Sequence, residues 1–233
     1  MSEKIPLPIV IISCQVFQHL IEKQLPENTS IRSISYLDYG LHLVPRNLNA
    51  AIHDRLDGIE QPSLVVLGYG LCGNGLDGIQ AGKHILLIPR TDDCIAILLG
   101  DYQKYRAEFN AHPGTYYLTK GWLESASNPL GQYQEYEAKY GANTADYLMD
   151  TQYQHYSRLA FVAHDLEDLV KYRPQAEQVA RYCQRWNMKY EELLGSESYI
   201  RRLIETAAAL DQAEDEFVVI PPGGELKQSH FLR

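Results

Sequence analysis

The stretch SLVVLGYGLCGNG, residues 63–75, decides the fold of this chain. Its first part, Leu64 to Leu67, is a short aliphatic run, which is typical of a β-strand covered on both faces of a parallel sheet. Its second part is rich in glycine and contains one thiol, Cys72. The stretch therefore predicts a buried strand that ends in a tight, cysteine-bearing turn.

The same pattern occurs twice more in the first hundred residues. The apolar run Ile9 to Ile12 leads to Cys14, and the run Ile85 to Ile88 leads to Cys94. Ligands of open parallel sheets bind beyond the carboxyl ends of the strands. We therefore expect the three thiols to meet in one crevice.

Strands and helices alternate along the chain, which predicts an α/β fold. The expected sheet is mostly parallel, with helices on both faces and right-handed crossovers. The C-terminal part repeats the alternation of strands and helices without the cysteines. Two similar Rossmann-like lobes are therefore one possible arrangement. The predicted domains are residues 1–124, the α/β lobe with the Cys/His crevice, and residues 125–233, a tyrosine-rich helical segment followed by a second α/β lobe.

Composition narrows the classes of partner. The formal net charge of −9 argues against a nucleic-acid-binding surface, which is normally basic. The sequence has no block of Lys and Arg and no apolar run of bilayer length, so membrane association is not expected. Four cysteines in 233 residues do not suggest a disulfide framework. We expect a cytoplasmic protein with reduced thiols, and a homo-oligomer stays open.

A metal site is the main hypothesis for the crevice. His42 also follows a predicted strand, so Cys14, His42, Cys72 and Cys94 are the candidate ligands of a tetrahedral Zn²⁺ site. The three cysteines alone also suit an iron–sulfur cluster with one open iron. A metal-free catalytic thiol and three unrelated buried cysteines are the alternatives. Cys183 lies on an apolar helix face and is predicted to be a core residue.

The glycine-rich turn has a second interpretation. Residues 68–73 match G-x-G-x-x-G after a strand, and Asp92 follows the next strand, where a ribose-binding acid is expected. The segment after the turn, however, has room for only a short helix. The loop is thus also a candidate for holding the anionic end of a substrate, and the predicted contacts are Gly70, Gly73, Asn74 and Arg90.

Two further features belong to the second half of the chain. His164 ends a predicted strand beside Asp165, and it is either a solvent-exposed or capping residue or a candidate general base or metal ligand. Tyr133, Tyr136 and Tyr140 share one helical face. That face predicts either half-buried packing or a lid over a flat cofactor.

Several motifs together resemble a known family. The motifs are Ile12-Ser13-Cys14, Gly40-Leu41-His42, the stretch from Gly68 to Gly75, the stretch from Pro89 to Cys94, and Pro113-Gly114-Thr115-Tyr116-Tyr117. They resemble domain of unknown function 1638, an uncharacterised bacterial and archaeal family. Its genes often lie near corrinoid-dependent methyltransferases, so the resemblance implies one-carbon chemistry by association. Where the family is expected to carry His-Asp-Cys, this chain has Asp92-Asp93-Cys94.

The functional hypothesis combines these observations. The chain is predicted to be a metal–thiolate protein and a methyl-transfer enzyme, in which a bound substrate thiol loses its proton and accepts a methyl group. The substrate would be a small molecule or a corrinoid protein. The alternatives are a non-catalytic metal or corrinoid carrier, a cluster-bearing redox protein and a nucleotide-binding protein that uses the glycine-rich turn.

Overall fold

The computed structural model describes residues 7–25 and 31–232. It is a mixed α/β structure with two compact units. Unit 1 combines Met1–Ile97 with Ser198–Arg233, and unit 2 is Leu98–Glu197. The predicted boundary between residues 124 and 125 separates folding domains, which the division into compact units does not test. It therefore stays a prediction.

Strands and helices alternate along most of the chain. The strands are β1 (Ile9–Cys14), β2 (Ile31–Leu37), β3 (Leu64–Gly68), β4 (Ile85–Pro89), β5 (Thr115–Thr119), β6 (Arg158–Ala163), β7 (Lys189–Leu194) and β8 (Phe217–Ile220). The α-helices are α1 (Gln18–Lys23), α2 (Pro45–Asp57), α3 (Cys94–Leu99), α4 (Tyr102–Ala111), α5 (Lys120–Glu124), α6 (Pro129–Tyr140), α7 (Ala142–Tyr153), α8 (Leu166–Cys183) and α9 (Ser198–Ala208). No helix within the described ranges is long and apolar enough to cross a lipid bilayer.

The sheet of unit 1 has the strand order β2-β1-β3-β4-β8. The first four strands are parallel, and β8 pairs antiparallel with β4. Every residue of β1 and β3 is buried, which explains their continuous apolar sequences. The chain moves from β1 to one side and from β2 back to the other. Right-handed crossovers therefore place α1 and α2 on opposite faces, and the strand order reverses between β1 and β3.

The sheet of unit 2 is all parallel, in the order β5-β6-β7. Its central strand, β6, is buried throughout. Cys183 is fully buried in the core beside this sheet, together with Ala176 and Val179, which confirms its predicted packing role. Tyr133 and Tyr136 pack partly buried against that core, whereas Tyr140 is 49% exposed.

Two helices differ from the pattern in the sequence. The apolar stripe from Ile95 to Phe109 predicts one helix, but Gly100 at φ +82° separates α3 from α4, and the Asp101 side chain caps α4 by accepting from Lys104 N. Proline at position 174 predicts a helix start. Instead α8 begins at Leu166, with the Asp165 side chain as its cap.

Candidate functional site

Cys14, Cys72 and Cys94 surround one small pocket in unit 1. The pocket lies beyond the carboxyl ends of β1 to β4, where the strand order reverses and where ligands of such sheets bind. Its volume is about 10 Å³, roughly the space that one water molecule occupies. The other lining residues are Phe17, Asp38, Tyr39 and Tyr69.

Two backbone hydrogen bonds hold the turn after β3 against the turn after β4. Leu71 N donates to Thr91 O at 2.8 Å, and Cys72 N donates to Asp92 O at 3.0 Å. Gly70 makes this approach possible, because a Cβ there would lie 2.6 Å from the carbonyl carbon of Asp93. The contact between the turns brings Cys72 next to the start of α3, where Cys94 is the first residue.

A second close approach aligns Cys14 with the turn. Ser13 pairs with Gly68 across β1 and β3. A Cβ at residue 68 would lie 2.2 Å from Ser13 Oγ, so only glycine leaves room for this serine. Ser13 Oγ donates to Gly68 O at 3.2 Å. Because the two strands end in register, Cys14 and Tyr69 meet at the pocket.

The turn itself has an unusual backbone. Cys72, Gly73 and Asn74 all have positive φ angles, of 49°, 63° and 69°. Glycine adopts this region freely and asparagine tolerates it, whereas a cysteine there is strained. Strain of this kind concentrates at functional sites, where the surrounding structure enforces it. The geometry thus singles out Cys72 among the cysteines.

The three thiols are neutral at physiological pH. Burial is the main cause that raises the pKa of Cys14 to about 11 and that of Cys72 to about 12. Burial, followed by the neighbouring Cys72 and Asp93, raises the pKa of Cys94 well above its usual value. Cys14 also opposes the ionisation of Cys72, and both oppose the ionisation of Cys94, so the thiolate forms need a nearby positive charge.

Backbone N–H groups already face two of the sulfurs. Val16 offers a backbone hydrogen bond to Cys14, and Gly70 and Cys94 offer backbone hydrogen bonds to Cys72. Each of these contacts lowers the pKa of the thiol that it reaches, although burial outweighs it. Gly70, which the sequence marks for anion binding, thus contributes its backbone to a sulfur.

Tyr69 is a pocket residue that the sequence analysis did not select. Its side chain is only 3% exposed, and its buried hydroxyl has no hydrogen-bond partner in the described structure. Burial, followed by Cys14 and Cys72, raises the pKa of this phenol above its ordinary value. A buried donor without a partner is rare in native proteins, and it calls for a ligand or a water. The available signal was an aromatic residue inside a glycine-rich turn.

Asp38 brings a negative charge to the pocket. It follows β2 and accepts a hydrogen bond from Gly40 N at 2.8 Å, which caps the 3₁₀ helix Tyr39–Leu43. After burial, it is a further cause of the raised pKa of Cys14. The side chain of His42 lies outside the described part of the structure, so its role as a ligand stays a prediction.

The remaining anion-binding candidates lie elsewhere in unit 1. The Arg90 guanidinium forms an ion pair with Asp215 and donates to the carbonyl oxygen of Leu232. Arg90 does not line the pocket. Gly73 and Asn74 are exposed on the turn. Turns and no helix follow Cys72 before β4, so the turn lacks the helix N-terminus that holds the pyrophosphate of a dinucleotide.

Within residues 7–25 and 31–232, no group of three or more His, Cys, Asp or Glu side chains is arranged so that it could hold a metal ion. The thiols share a pocket, but their sulfurs do not have the geometry of a finished coordination sphere. Tetrahedral Zn²⁺ requires Zn–S distances of about 2.3 Å. Metal binding would therefore require the cysteine side chains to turn toward a common centre.

His164 ends β6 in unit 2. Both of its ring nitrogens are buried and have no hydrogen-bond partner among the described residues. Burial, followed by the charge of Lys120, lowers the pKa of His164 to about 4, against the opposing effect of Asp168. The ring is therefore neutral at physiological pH. Its predicted roles as a base or ligand stay predictions.

Comparison with known proteins identifies one family. No curated protein and no solved structure shows significant similarity to the chain. A family model described as "Protein of unknown function (DUF1638)" matches residues 36–204, which is more than half of the chain. The match includes Tyr69, Cys72 and Cys94 and begins after Cys14. The chain therefore belongs to the DUF1638 family.

Proposed function

We propose that the pocket binds one thiophilic metal ion, Zn²⁺ in the first place, through Cys14, Cys72 and Cys94, and that the protein is a metal-dependent methyltransferase. One observation carries the proposal: three thiols, distant in sequence, surround a space of about 10 Å³. Thiolate sulfur is the donor that zinc and other soft metals prefer.

The size of the pocket favours a single ion over the alternatives. A cluster of several iron and sulfide atoms needs far more room than one water molecule occupies. A corrinoid ring is larger still, so this pocket does not suit a corrinoid carrier. A single zinc ion with three thiolate ligands keeps a fourth position for an exchangeable group.

The charges around the thiols argue against a metal-free nucleophile. Reactive cysteines lie in electropositive surroundings that lower their pKa values. Here burial, with the further effect of Asp38 on Cys14 and of Asp93 on Cys72, raises the pKa values of both thiols. A bound cation reverses this effect, because it compensates the charges of several thiolates at once.

The chain's own residues would keep the sulfurs in place. The backbone N–H groups of Gly70 and Cys94 reach the Cys72 sulfur, and that of Val16 reaches Cys14. Such hydrogen bonds orient thiolate ligands and reduce their excess charge. Phe17, which is fully buried, closes one side of the pocket against water.

The proposed reaction is methyl transfer to a thiol. A zinc ion held by Cys14, Cys72 and Cys94 would lower the pKa of a thiol that binds beside them. The thiol proton leaves to solvent, a bond forms between the thiolate sulfur and the methyl carbon of a methylated corrinoid, and the cobalt–carbon bond breaks with its electron pair left on cobalt. The corrinoid as methyl donor is taken from the family resemblance.

Metal content is the first test. We expect elemental analysis of anaerobically purified protein to find one zinc per chain, and the Cys72→Ala variant to lose most of it. Cys183→Ala is the matched control, because Cys183 is a buried cysteine of the unit 2 core. Unchanged metal in Cys72→Ala would remove Cys72 from the site. Brown protein with acid-labile sulfide would support the cluster instead.

Turnover is the second test. Zinc-loaded protein incubated with methylcobalamin and 2-mercaptoethanol should form the methyl thioether, and Cys72→Ala should not. A protein that holds zinc and forms no thioether would favour the metal-carrier alternative. Rapid exchange of its zinc with a chelator would support that alternative further.

A further inference from the structure

The pocket also constrains the charge of the thiol that enters it. We infer that the site accepts small thiols without negative charge and favours a thiol that carries an ammonium group, with Asp38 and Tyr69 as the residues that select it. This inference rests on the proposed function, since the thiol occupies the open position beside Cys14, Cys72 and Cys94.

The charges at the pocket are negative. Among the described lining residues Asp38 is the one charged side chain, and none is Lys or Arg. The nearby Asp93 adds a second negative influence on Cys72 and Cys94. Arg90 is engaged with Asp215 and with the Leu232 carbonyl, away from the pocket. A sulfonate or phosphate near this rim would meet repulsion, whereas an ammonium group would meet attraction.

The hydroxyl of Tyr69 is suited to the sulfur of the incoming thiol. It is buried against Cys14 and Cys72 and has no partner in the described structure. A phenol donates one hydrogen bond, and a thiolate sulfur accepts it. Such a bond would satisfy the hydroxyl and stabilise the anionic sulfur in the dry pocket. Tyr69 is thus a positioning residue for the ligand.

The small volume adds a limit on shape. The bound metal ion fills the space of about 10 Å³, so the incoming sulfur has to reach it through the narrow mouth of the pocket, which a ring would not fit. The sulfur must therefore stand at the end of a short, unbranched chain. The rest of the ligand then lies at the mouth of the pocket, near Asp38.

Three thiols of similar size test the charge selection. Protein loaded with Co²⁺ would be titrated with 2-aminoethanethiol, 2-mercaptoethanol and 2-mercaptoethanesulfonate, and binding followed by the cobalt absorption bands. We expect the amine to bind about tenfold more tightly than the sulfonate at low salt, with a smaller ratio at high salt. In Asp38→Asn the ratio should fall by about threefold. The intrinsic acidity of each thiol is the same for both proteins and does not affect this change.

The tyrosine is tested with a matched pair of variants. The Tyr69→Phe variant should keep its Co²⁺. Its affinity for each of the three added thiols should fall by about fivefold. Tyr36→Phe is the control, because the Tyr36 hydroxyl is also buried without a partner in the described structure but does not line the pocket. It should bind all three thiols as the wild type does.

The outcomes separate this inference from the proposed function. Wild-type protein that binds no Co²⁺ or Zn²⁺ overturns both. Metal-loaded protein that binds the sulfonate as tightly as the amine, or whose ratio is unchanged in Asp38→Asn, overturns the charge selection alone. Equal thiol affinities in Tyr69→Phe and Tyr36→Phe remove Tyr69 from the site.

Discussion

The two sheets of this protein present different chemistry at their carboxyl edges. The edge in unit 1 is lined by three thiols, two phenols and the carboxylate of Asp38. At the edge in unit 2, β5 leads to Lys120 and β6 leads to His164, and Lys120 Nζ lies 2.8 Å from Asp168 Oδ2 in a largely buried ion pair. Within the described residues, both edges contain buried polar groups without partners, namely the hydroxyls of Tyr69 and Thr119 and the ring of His164.

This difference shows that architecture supplies a location and side chains supply the reactivity. Parallel strands bring their carboxyl ends together in both units, whatever the residues there. Soft donors such as thiolates select zinc-like ions, whereas an imidazole beside an ion pair suits hydrogen bonding and proton transfer. Similar architecture therefore does not imply similar function at the two edges.

The largest effect is expected when a substitution at Gly70 disrupts the contact between the two turns in unit 1. A Cβ at this position would lie 2.6 Å from the Asp93 carbonyl group. We expect Gly70→Ala to reduce the free energy of unfolding by about 3 kcal/mol, as overpacking does, and to abolish metal binding. Chemical denaturation followed by circular dichroism, together with elemental analysis, measures both.

Gly78→Ala is the control for Gly70→Ala. Gly78 has φ +81° and no described atom within 4 Å of an added Cβ, so its substitution adds backbone strain without a clash. It should cost about 1 kcal/mol and keep the metal. Equal losses of stability and metal in the two variants would show that the approach of the two turns does not shape the pocket.

The strands were the predictable part of this fold. The predicted apolar runs Ile9 to Ile12, Leu64 to Leu67 and Ile85 to Ile88 lie within β1, β3 and β4. Buried parallel strands have continuous apolar sequences, and this local signal is enough to find them. No local pattern indicates which sheet a strand joins: β8 follows unit 2 along the chain yet pairs with β4 in unit 1.

The site was predictable only in part, for a similar reason. Cysteines at strand ends can be read from the sequence, and their approach to one pocket follows from parallel topology. The contribution of Tyr69 and Asp38 depends on how the turns fold against one another, which involves backbone contacts such as Leu71 N to Thr91 O. The engagement of Arg90 by Asp215, 125 residues later, has no signal near Arg90.

The carboxyl edge of the sheet in unit 2 is predicted to make stability depend on pH, through His164. The pKa of His164 is about 4 in the folded protein and about 6.5 when unfolded, so the unfolded chain binds the additional proton between these values. Stability should be highest above pH 6.5 and fall as the pH decreases toward 4, by about 2 kcal/mol for this partly exposed residue. Both tryptophans, Trp122 and Trp186, lie in unit 2, so their fluorescence during urea unfolding reports on it.

His164→Gln provides the control for this pH dependence. Glutamine keeps a polar side chain and does not titrate, so the variant should lose less stability than the wild type between pH 6.5 and 4. Carboxylates that titrate in the same range contribute equally to both proteins and cancel in the difference. Identical pH profiles would show that His164 is not held neutral by its surroundings.

A smaller effect should follow from removing the cation beside His164. Burial is the main cause of the low pKa of His164, and the charge of Lys120 is the second. Lys120→Met leaves Asp168 to act on the ring without the opposing ammonium group. We expect the pKa of His164 to rise toward its ordinary value, which NMR titration of the ring protons measures. A lower pKa would mean that the exposure and hydrogen bonding of the ring changed instead.

The smallest effect is expected at Arg90, and it sharpens the comparison by separating structure from ligand binding in unit 1. Its side chain is 19% exposed and pairs with Asp215, which is 86% exposed, so the pair contributes little to stability. Arg90→Gln should cost about 1 kcal/mol and leave zinc content and the affinity for 2-mercaptoethanesulfonate unchanged. If Arg90 holds an anionic ligand, as the sequence suggested, this variant would instead bind the sulfonate more weakly while its affinity for 2-mercaptoethanol stayed the same. Calorimetric titration with both added thiols distinguishes the two results. Loss of a general structural contact would lower the affinity for both of them together.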